Sequence, residues 1–346
     1  MTRVLITGAA GFIGSTLANH LVGQGYAVRG LDNLSTGKVS NLDTILDEMD
    51  FTQGDIRDPT LMKQLCDGVD VVFHQAAVAS VAHSVADPVA THDINVTGTL
   101  NVLAAARAAG VARVVYAASS AIYGDSGRLP MQEHMAPAPM SPYAVQKLTG
   151  EHYMNLFAQI YGLETVCLRY FNVFGPHQAA DSSYSGVLAR FIVAMLRGTA
   201  LHIYGDGRQT RDFTYVQDVV RANEMAAFAP WRSLTRRCYN IANGRSYSLL
   251  EVYETLSDLT GYHELPTFAI AREGDIRHSL ADITMARREL GYQPEVTIQD
   301  GLRRTVEWYA ESLGTAAGGD GARLNALSER GQNRYVESGL HAAAGD

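Results

Sequence analysis

Short apolar runs rich in β-branched residues alternate with longer helix-like stretches through the first half of the chain. The runs are RVLITG, YAVRGLD, MDFTQGD, VDVVFHQAA, ARVVYAASS and ETVCLRYFNV. Candidate strands separated by candidate helices make βα units, and βα units build a parallel sheet with helices on both faces. The expected fold class is therefore α/β, a doubly wound Rossmann-type sheet. After Pro176 the rhythm changes to shorter mixed elements: a polar loop HQAADSSYSG, a helix pattern VLARFIVAMLRG and the segment LHIYGDGRQTRDFTYV. These predict a smaller mixed α/β substrate lobe over the C-terminal ends of the strands, where open α/β sheets bind ligands. RCYNIAN, around Tyr239, reads as a strand returning to the main sheet.

The expected division is a nucleotide-binding domain over 1–175 with a returning segment near 214–245, and a lobe made of 176–213 and 246–314. IQDGLRRTVEWYAESL is the last amphipathic element, and 315–346, rich in Gly, Ala and polar residues, is expected to be a mobile tail. With 346 residues, 47% of them hydrophobic, the chain can fill a sizeable core. A net charge of -8 and the lack of a long basic run argue against nucleic acid or an anionic membrane as partner, so any anionic ligand must be met by a few placed arginines. No run of 18 apolar residues is present, and VLITGAAGFIG lacks the basic lead-in and cleavage site of a signal peptide. No membrane span, no export and a cytoplasmic location are expected. Cys66, Cys167 and Cys238 are odd in number, far apart in sequence and without metal-site spacing, so they read as reduced thiols. His74 has no second ligand at metal spacing and reads as structural; no metal is expected.

The apolar run Val4 to Thr7 leads into Gly8-Ala9-Ala10-Gly11-Phe12-Ile13-Gly14 and then a helix-like STLANHLVGQG. Glycines at G-x-x-G-x-x-G spacing permit a tight turn and close backbone approach, and the helix that follows offers free N–H groups to a pyrophosphate. Asp32 ends the next strand. A carboxylate there accepts both ribose hydroxyls of NAD and repels the 2′-phosphate of NADP, so the expected cofactor is NAD.

SPYAVQK places Tyr143 and Lys147 four residues apart, on one face if the segment is helical. Alone, such a pair is equally at home on a surface helix. Ser119, at the end of the fifth candidate strand, can converge with it beside a nicotinamide. A tyrosine of pKa about 10 acting as base near neutrality must drop by roughly 3 units, about 4 kcal/mol. Lys147 and a positive nicotinamide ring are suitable sources.

Together, GAAGFIG, Asp32-Asn33-Leu34-Ser35-Thr36-Gly37, GDIRD, HQAA, SSAIYG, YAVQK, RYFNVFGP, TRDFTYVQDVV and REGDIRHSLAD resemble the extended short-chain dehydrogenase/reductases, specifically their nucleotide-sugar 4-epimerases. The resemblance runs from Arg3 to about Leu313. It implies Tyr143 as base, Lys147 as its tuner and ribose contact, and Ser119 at the reacting hydroxyl. The sugar is oxidised at C4, turns over while its nucleotide stays anchored, and is reduced on its other face, with NAD recycled.

For NAD the resemblance implies Gly8, Gly11, Phe12, Ile13, Gly14, Asp32, Asn33, Ser35, Thr36 and Gly37. It adds Asp55 and Ile56 around the adenine, Gln75, Ala76 and Ala77 under the diphosphate, and Asn95, Tyr143, Lys147 and Tyr170 elsewhere. For a UDP-sugar it implies Arg211 and Arg272 on the diphosphate, Asp275 on the uridine ribose, Tyr204 near the uracil, and Asn172 and Val187. Small residues at Ser279, Gly186 and Ala79 imply room for a 2-acetamido group, with Ser80 and Ser120 as polar contacts. The relevant likeness is to UDP-N-acetylglucosamine 4-epimerases.

Relatives that dehydrate or decarboxylate carry acids where this chain has Ser120 and Ala121, which favours epimerisation. Val145-Gln146 departs from the usual residues before the lysine and is expected to point away from the site. The family also implies a homodimer through a four-helix bundle, using the Tyr143 helix with its stripe Leu148, Leu156, Phe157 and Ile160, and the helix in THDINVTGTLNVLAAARAAG. Epimerisation of UDP-glucuronate, a nucleotide-sugar dehydratase and a noncatalytic NAD-sensing regulator are the alternatives.

Overall fold

The computed structural model describes residues 1–180, 186–234, 237–270 and 276–316. Strands Arg3–Thr7 (β1), Ala27–Asp32 (β2), Asp50–Gln53 (β3), Val71–His74 (β4), Arg113–Ser119 (β5), Glu164–Tyr170 (β6) and Cys238–Ile241 (β7) form one sheet in the order β7-β6-β5-β4-β1-β2-β3. Every neighbouring pair is parallel. The six runs read from the sequence are β1 to β6, and RCYNIAN returns as β7. The strand order reverses between β1 and β4, the switch point at which such sheets hold ligands.

The helices are Phe12–Gly23 (α1), Pro59–Cys66 (α2), Val81–Ala86 (α3), Pro88–His92 (α4), Gly98–Ala108 (α5), Pro142–Tyr161 (α6), Val187–Leu196 (α7), Val216–Phe228 (α8), Leu249–Thr260 (α9), Thr284–Leu290 (α10) and Ile298–Ala316 (α11). A single wide π-type turn, Asp93–Thr97, joins α4 to α5.

Strand alternation explains why both sheet faces are dry. Val4, Ile6, Val71, Phe73, Val115 and Val166 point into one apolar cluster, while Leu5, Val72, Val114, Tyr116 and Cys167 point into another. Each buried Val, Leu, Ile or Phe side chain contributes about 1.5–3 kcal/mol by leaving water. Cys167 and Cys238 are directly paired across β6 and β7, so these two thiols, distant in sequence, are neighbours in space.

The chain divides into two compact units. The first contains residues 1–173, 209–247 and 273–296; the second contains 174–208, 248–272 and the chain from 297. The sequence division placed 273–296 in the lobe, but Ala281, Ile283, Ala286, Leu290 and Tyr292 are buried in the same cluster as Tyr239 and Ile241 of β7 and Val219 of α8. Apolar burial, not proximity in sequence to the lobe, decides where that segment belongs. In the second unit α7, α9 and α11 pack on one another. Residues 317–346, most of the expected tail, lie outside the described residues.

Candidate active site

Two consecutive N–H groups, of Gly8 and Ala9, donate to Leu31 O at 2.7 and 3.1 Å, which turns the chain sharply at the end of β1. Gly8 has φ +73°, and a Cβ there would lie 2.8 Å from Ala76 N. At Gly14 a Cβ would stand 1.9 Å from Gly8 O. The glycine spacing is thus a packing requirement. It brings α1 to the sheet with Gly11 at its cap, no side-chain cap and no acidic residue in its first turn. That helix end leaves N–H groups and a favourable dipole for an anion.

Asp32 ends β2 with its carboxylate anchored. One oxygen accepts from Ala10 N at 2.9 Å and the other from Leu34 N at 2.8 Å. Each oxygen keeps lone-pair capacity for a further donor. Beside it is a small cleft lined by Asp32, Asn33, Ser35, Thr36, Asp55, Ile56, Ala76, Ala77, Val78 and Ile94. Eight of these ten residues are cofactor positions anticipated from the sequence; Val78 and Ile94 are not, because a single apolar residue carries no signal of its own. The open helix end, the Cβ-free turn and the anchored carboxylate fit the diphosphate and adenosine of a dinucleotide. Asp55 spends its side chain on Asn33 and on a two-pronged contact with Arg57, whose guanidinium holds the carboxyl well below its usual range.

Beneath the turn, Gln75 and Tyr170 meet through Asn223 of α8. The Gln75 amide donates to Asn223 Oδ1 at 2.9 Å, and Asn223 Nδ2 donates to Tyr170 Oη at 2.8 Å. Asn223 escaped the sequence reading. Its only mark is a polar residue on a helix face that is otherwise buried and apolar.

The helix that begins at SPYAVQK starts and stops as its sequence dictates. Ser141 caps it by accepting from Ala144 N at 3.2 Å, Pro142 takes the first position, and Gly162 ends it with φ +72°. Tyr143 and Lys147 therefore sit in its first turns. Burial raises the Tyr143 pKa, and Ser119, the last residue of β5, lies close enough to lower it by a smaller amount. Lys147 is buried. Its ammonium donates to Ala117 O at 2.8 Å and lies 4.9 Å from the Tyr116 ring centroid. Burial pulls the Lys147 pKa down to about 7, against the attraction of Glu151. The sequence assigned Lys147 to Tyr143 directly; here the lysine is fixed first to the strand, and Ser119 is the group lowering the tyrosine.

Two further residues hold this helix. Tyr143 N donates to Ser84 Oγ at 2.9 Å. Gln146 is buried and bonded to Asn95, while Val145 beside it is exposed.

Among the residues anticipated for a sugar nucleotide, Ser279 is buried and its oxygen accepts from Asn172 Nδ2 and Asp212 N, both at 3.3 Å. Asp212 in turn accepts from the N–H groups of Asn243, Gly244 and Ala281, and burial pushes its carboxyl up to about 7. Arg211 donates to Thr210 O at 3.0 Å. Ser80 caps α3 by accepting from His83 N, Ala79 is exposed, and Ser120 and Ala121 form a tight turn after β5. No carboxylate stands between Ser119 and Tyr123. In the second unit, Gly186 precedes α7, Val187 opens it, and Tyr204 ends the short strand His202–Tyr204. Arg272 and Asp275 lie outside the described residues.

Among the described residues no three metal-ligating side chains cluster, and no helix is long and apolar enough to cross a membrane. Both His74 nitrogens are engaged, by Thr7 at 2.7 Å and Thr99 at 2.9 Å.

Residues 4–242 match the model of the NAD dependent epimerase/dehydratase family. The chain is 40% identical to the UDP-glucose 4-epimerase of Mycolicibacterium smegmatis over 311 residues, 89% of this chain and 98% of that one. Its fold matches the UDP-glucose 4-epimerase of Thermotoga maritima solved with UDP-glucose, with a TM-score of 0.86, 39% identity, and 90% and 100% of the two chains covered. A UDP-N-acetylglucosamine 4-epimerase from Methanobrevibacter ruminantium, in complex with UDP-N-acetylmuramic acid, also aligns with a TM-score of 0.86, at 36% identity over 90% and 99% of the chains.

Proposed function

Because the chain belongs to the NAD dependent epimerase/dehydratase family, we propose that it is an NAD-dependent UDP-sugar 4-epimerase whose preferred pair is UDP-N-acetylglucosamine and UDP-N-acetylgalactosamine. The observation that carries the reaction type is Ser119, at the end of β5, beside the buried Tyr143, with no acid at Ser120 or Ala121. NAD, when bound, supplies the two-electron acceptor that takes the C4 hydrogen and gives it back.

Gly8, Gly11 and Gly14 let the backbone reach the diphosphate, and Asp32 takes the ribose hydroxyls. Tyr143 accepts the proton of the C4 hydroxyl as C4 becomes a ketone, and returns it when the ketone is reduced on the opposite face. Ser119 donates its single hydroxyl proton to the reacting oxygen. Lys147 is anchored on Ala117 O, one helical turn from Tyr143. A dehydratase or decarboxylase needs an acid or base aimed at the neighbouring carbon, and Ser120 and Ala121 supply neither.

The acetamido preference rests on Ser279. The Ser279 side chain, tied back to Asn172 and Asp212, is far smaller than a tyrosine, and on this reading the difference accommodates the acetamido group. Ser279→Tyr is expected to lower kcat/KM for UDP-N-acetylglucosamine on the order of 10–100-fold more than for UDP-glucose. Equal losses on the two substrates remove the steric reading, since general damage to the fold affects both. Competition with UDP-glucuronate tests the uronate alternative; preferential use of that sugar replaces the acetamido assignment.

We also propose a homodimer through α6 and the α4–α5 segment. Leu156 and Ile160 of α6 and Val89 of α4 are exposed, with Val89 at 79%, an apolar surface of the kind that a second copy covers. Phe157 does not take part as the sequence suggested: it is buried in the core cluster with Met154 and Leu163. Sedimentation is expected to give a dimer that Ile160→Asp converts to monomer; a monomeric parent chain removes the proposal.

A further inference from the structure

The first turn of α6 is clamped to the α3–α4 segment by buried polar side chains with a single consistent assignment of donors and acceptors. At one end, Asn95 Oδ1 accepts from Val78 N at 2.8 Å, so Asn95 Nδ2 must be the atom facing Val78 O at 3.2 Å and Gln146 Oε1 at 2.8 Å. Gln146 Nε2 then faces Pro88 O at 3.3 Å and Thr91 Oγ1 at 3.0 Å. At the other end, the Thr91 hydroxyl donates to Asp87 O at 2.9 Å and is left as an acceptor for Gln146. The two ends therefore demand the same orientation of the Gln146 amide.

A second clasp lies one turn earlier on the same helix. Ser84 Oγ donates to Val81 O at 2.7 Å and accepts the Tyr143 N–H, which has no partner within its own helix. Asn95, Gln146 and Ser84 are 1%, 3% and 0% exposed, so none of these bonds can be exchanged for one to bulk water.

The clamp also reaches the cofactor side of the fold. Val78 lines the cleft beside Asp32. Asn95 O accepts from the Thr99 hydroxyl at 2.7 Å, and that hydroxyl accepts from His74 Nε2. His74 thus carries its proton on Nε2, and its Nδ1 accepts from Thr7 at the end of β1. Burial holds the His74 pKa down to about 3, so the ring stays neutral and this direction of bonding persists across working pH.

We propose that Gln146 and Ser84 are positioning residues for the reaction. They fix the rotation and depth of the first turns of α6, so that Tyr143 and Lys147 meet the reacting oxygen and the cofactor-side wall in one geometry. Neither residue touches the reacting atoms. Their effect is on how often Tyr143 is placed to move its proton, and a displacement of about 1 Å at a catalytic group costs on the order of 10²-fold in rate.

The kinetic part rests on the epimerase reading; the clamp itself does not. The test uses Gln146→Leu and Ser84→Ala in the full chain, with thermal melting, NAD content, steady-state kinetics and amide hydrogen exchange over 141–148. The expected result is two folded, NAD-retaining proteins whose kcat falls about 10²-fold while KM is little changed, and whose 141–148 segment exchanges faster than in the parent. If Gln146→Leu does not fold, Ser84→Ala, which removes one acceptor only, decides. Folded variants with parental kcat, or a loss confined to KM, overturn the positioning role. A parent chain inactive on every UDP-sugar overturns the epimerase reading and leaves the exchange measurement standing: unchanged exchange over 141–148 then overturns the clamp by itself.

Discussion

Replacing Tyr143 with Phe is expected to lower kcat by about 10²–10⁴-fold, the range for removal of a general acid–base group, while NAD remains bound. The substitution deletes one oxygen and keeps the ring. It also keeps the backbone N–H that Ser84 holds, so the first turn of α6 stays in place. What disappears is the hydroxyl assigned to take and return the C4 hydroxyl proton. Ser119 lies beside the tyrosine, but with a serine's high pKa it is a poor base alone. Lys147 already donates to Ala117 O. Purified variant protein assayed for turnover and for released nucleotide separates the cases: parental rates remove Tyr143 from the mechanism, and loss of NAD together with activity assigns the effect to binding.

Gly14→Ala is expected to abolish retention of NAD and to lower the melting temperature. The added Cβ would stand 1.9 Å from Gly8 O, a backbone atom that cannot swing aside as a long side chain can. Relief requires moving either the start of α1 or the turn after β1, and overpacking of this kind costs about 1–3 kcal/mol. Either movement spoils the N–H geometry offered to the diphosphate. Released nucleotide measured after denaturation of purified variant and parent checks this. A variant that retains NAD at the parental level shows that the glycine turn does not hold the diphosphate.

These two sites were legible in the sequence because their requirements are local. A glycine triplet between an apolar strand and a helix, and Ser-Pro ahead of a Tyr-x-x-x-Lys turn, each state their own geometry within a few residues. The strands were equally clear, since parallel strands covered on both faces read as unbroken apolar runs. What the sequence hid depends on distant partners. Ser84 matters because Tyr143 N meets it 59 residues away, and Asn223 because it reaches Gln75 across 148. Gln146 was expected only to point away from the site; its burial follows from Asn95 and Thr91, which the order of residues does not place beside it. Residues 276–296 follow the same rule, for Ile283 and Tyr292 show only as ordinary apolar residues until β7 and α8 are in place to cover them. Lys147 was singled out with Tyr143, yet its bond to the Ala117 carbonyl is a property of the β5 edge rather than of the motif.

The most direct measurement is incubation of the purified full-length chain with UDP-N-acetylglucosamine and, separately, with UDP-glucose, without added NAD, following the sugars by proton NMR. The account predicts appearance of the C4 epimer in both direction-independent terms, as a mixture approaching the same ratio from either epimer, with the acetylated sugar turned over faster. Faster turnover of UDP-glucose keeps the chemistry assigned to Tyr143 and discards the inference from Ser279. No epimer from either sugar, nor from UDP-glucuronate, with NAD supplied in excess, contradicts the central claim that this site inverts C4 of a UDP-sugar.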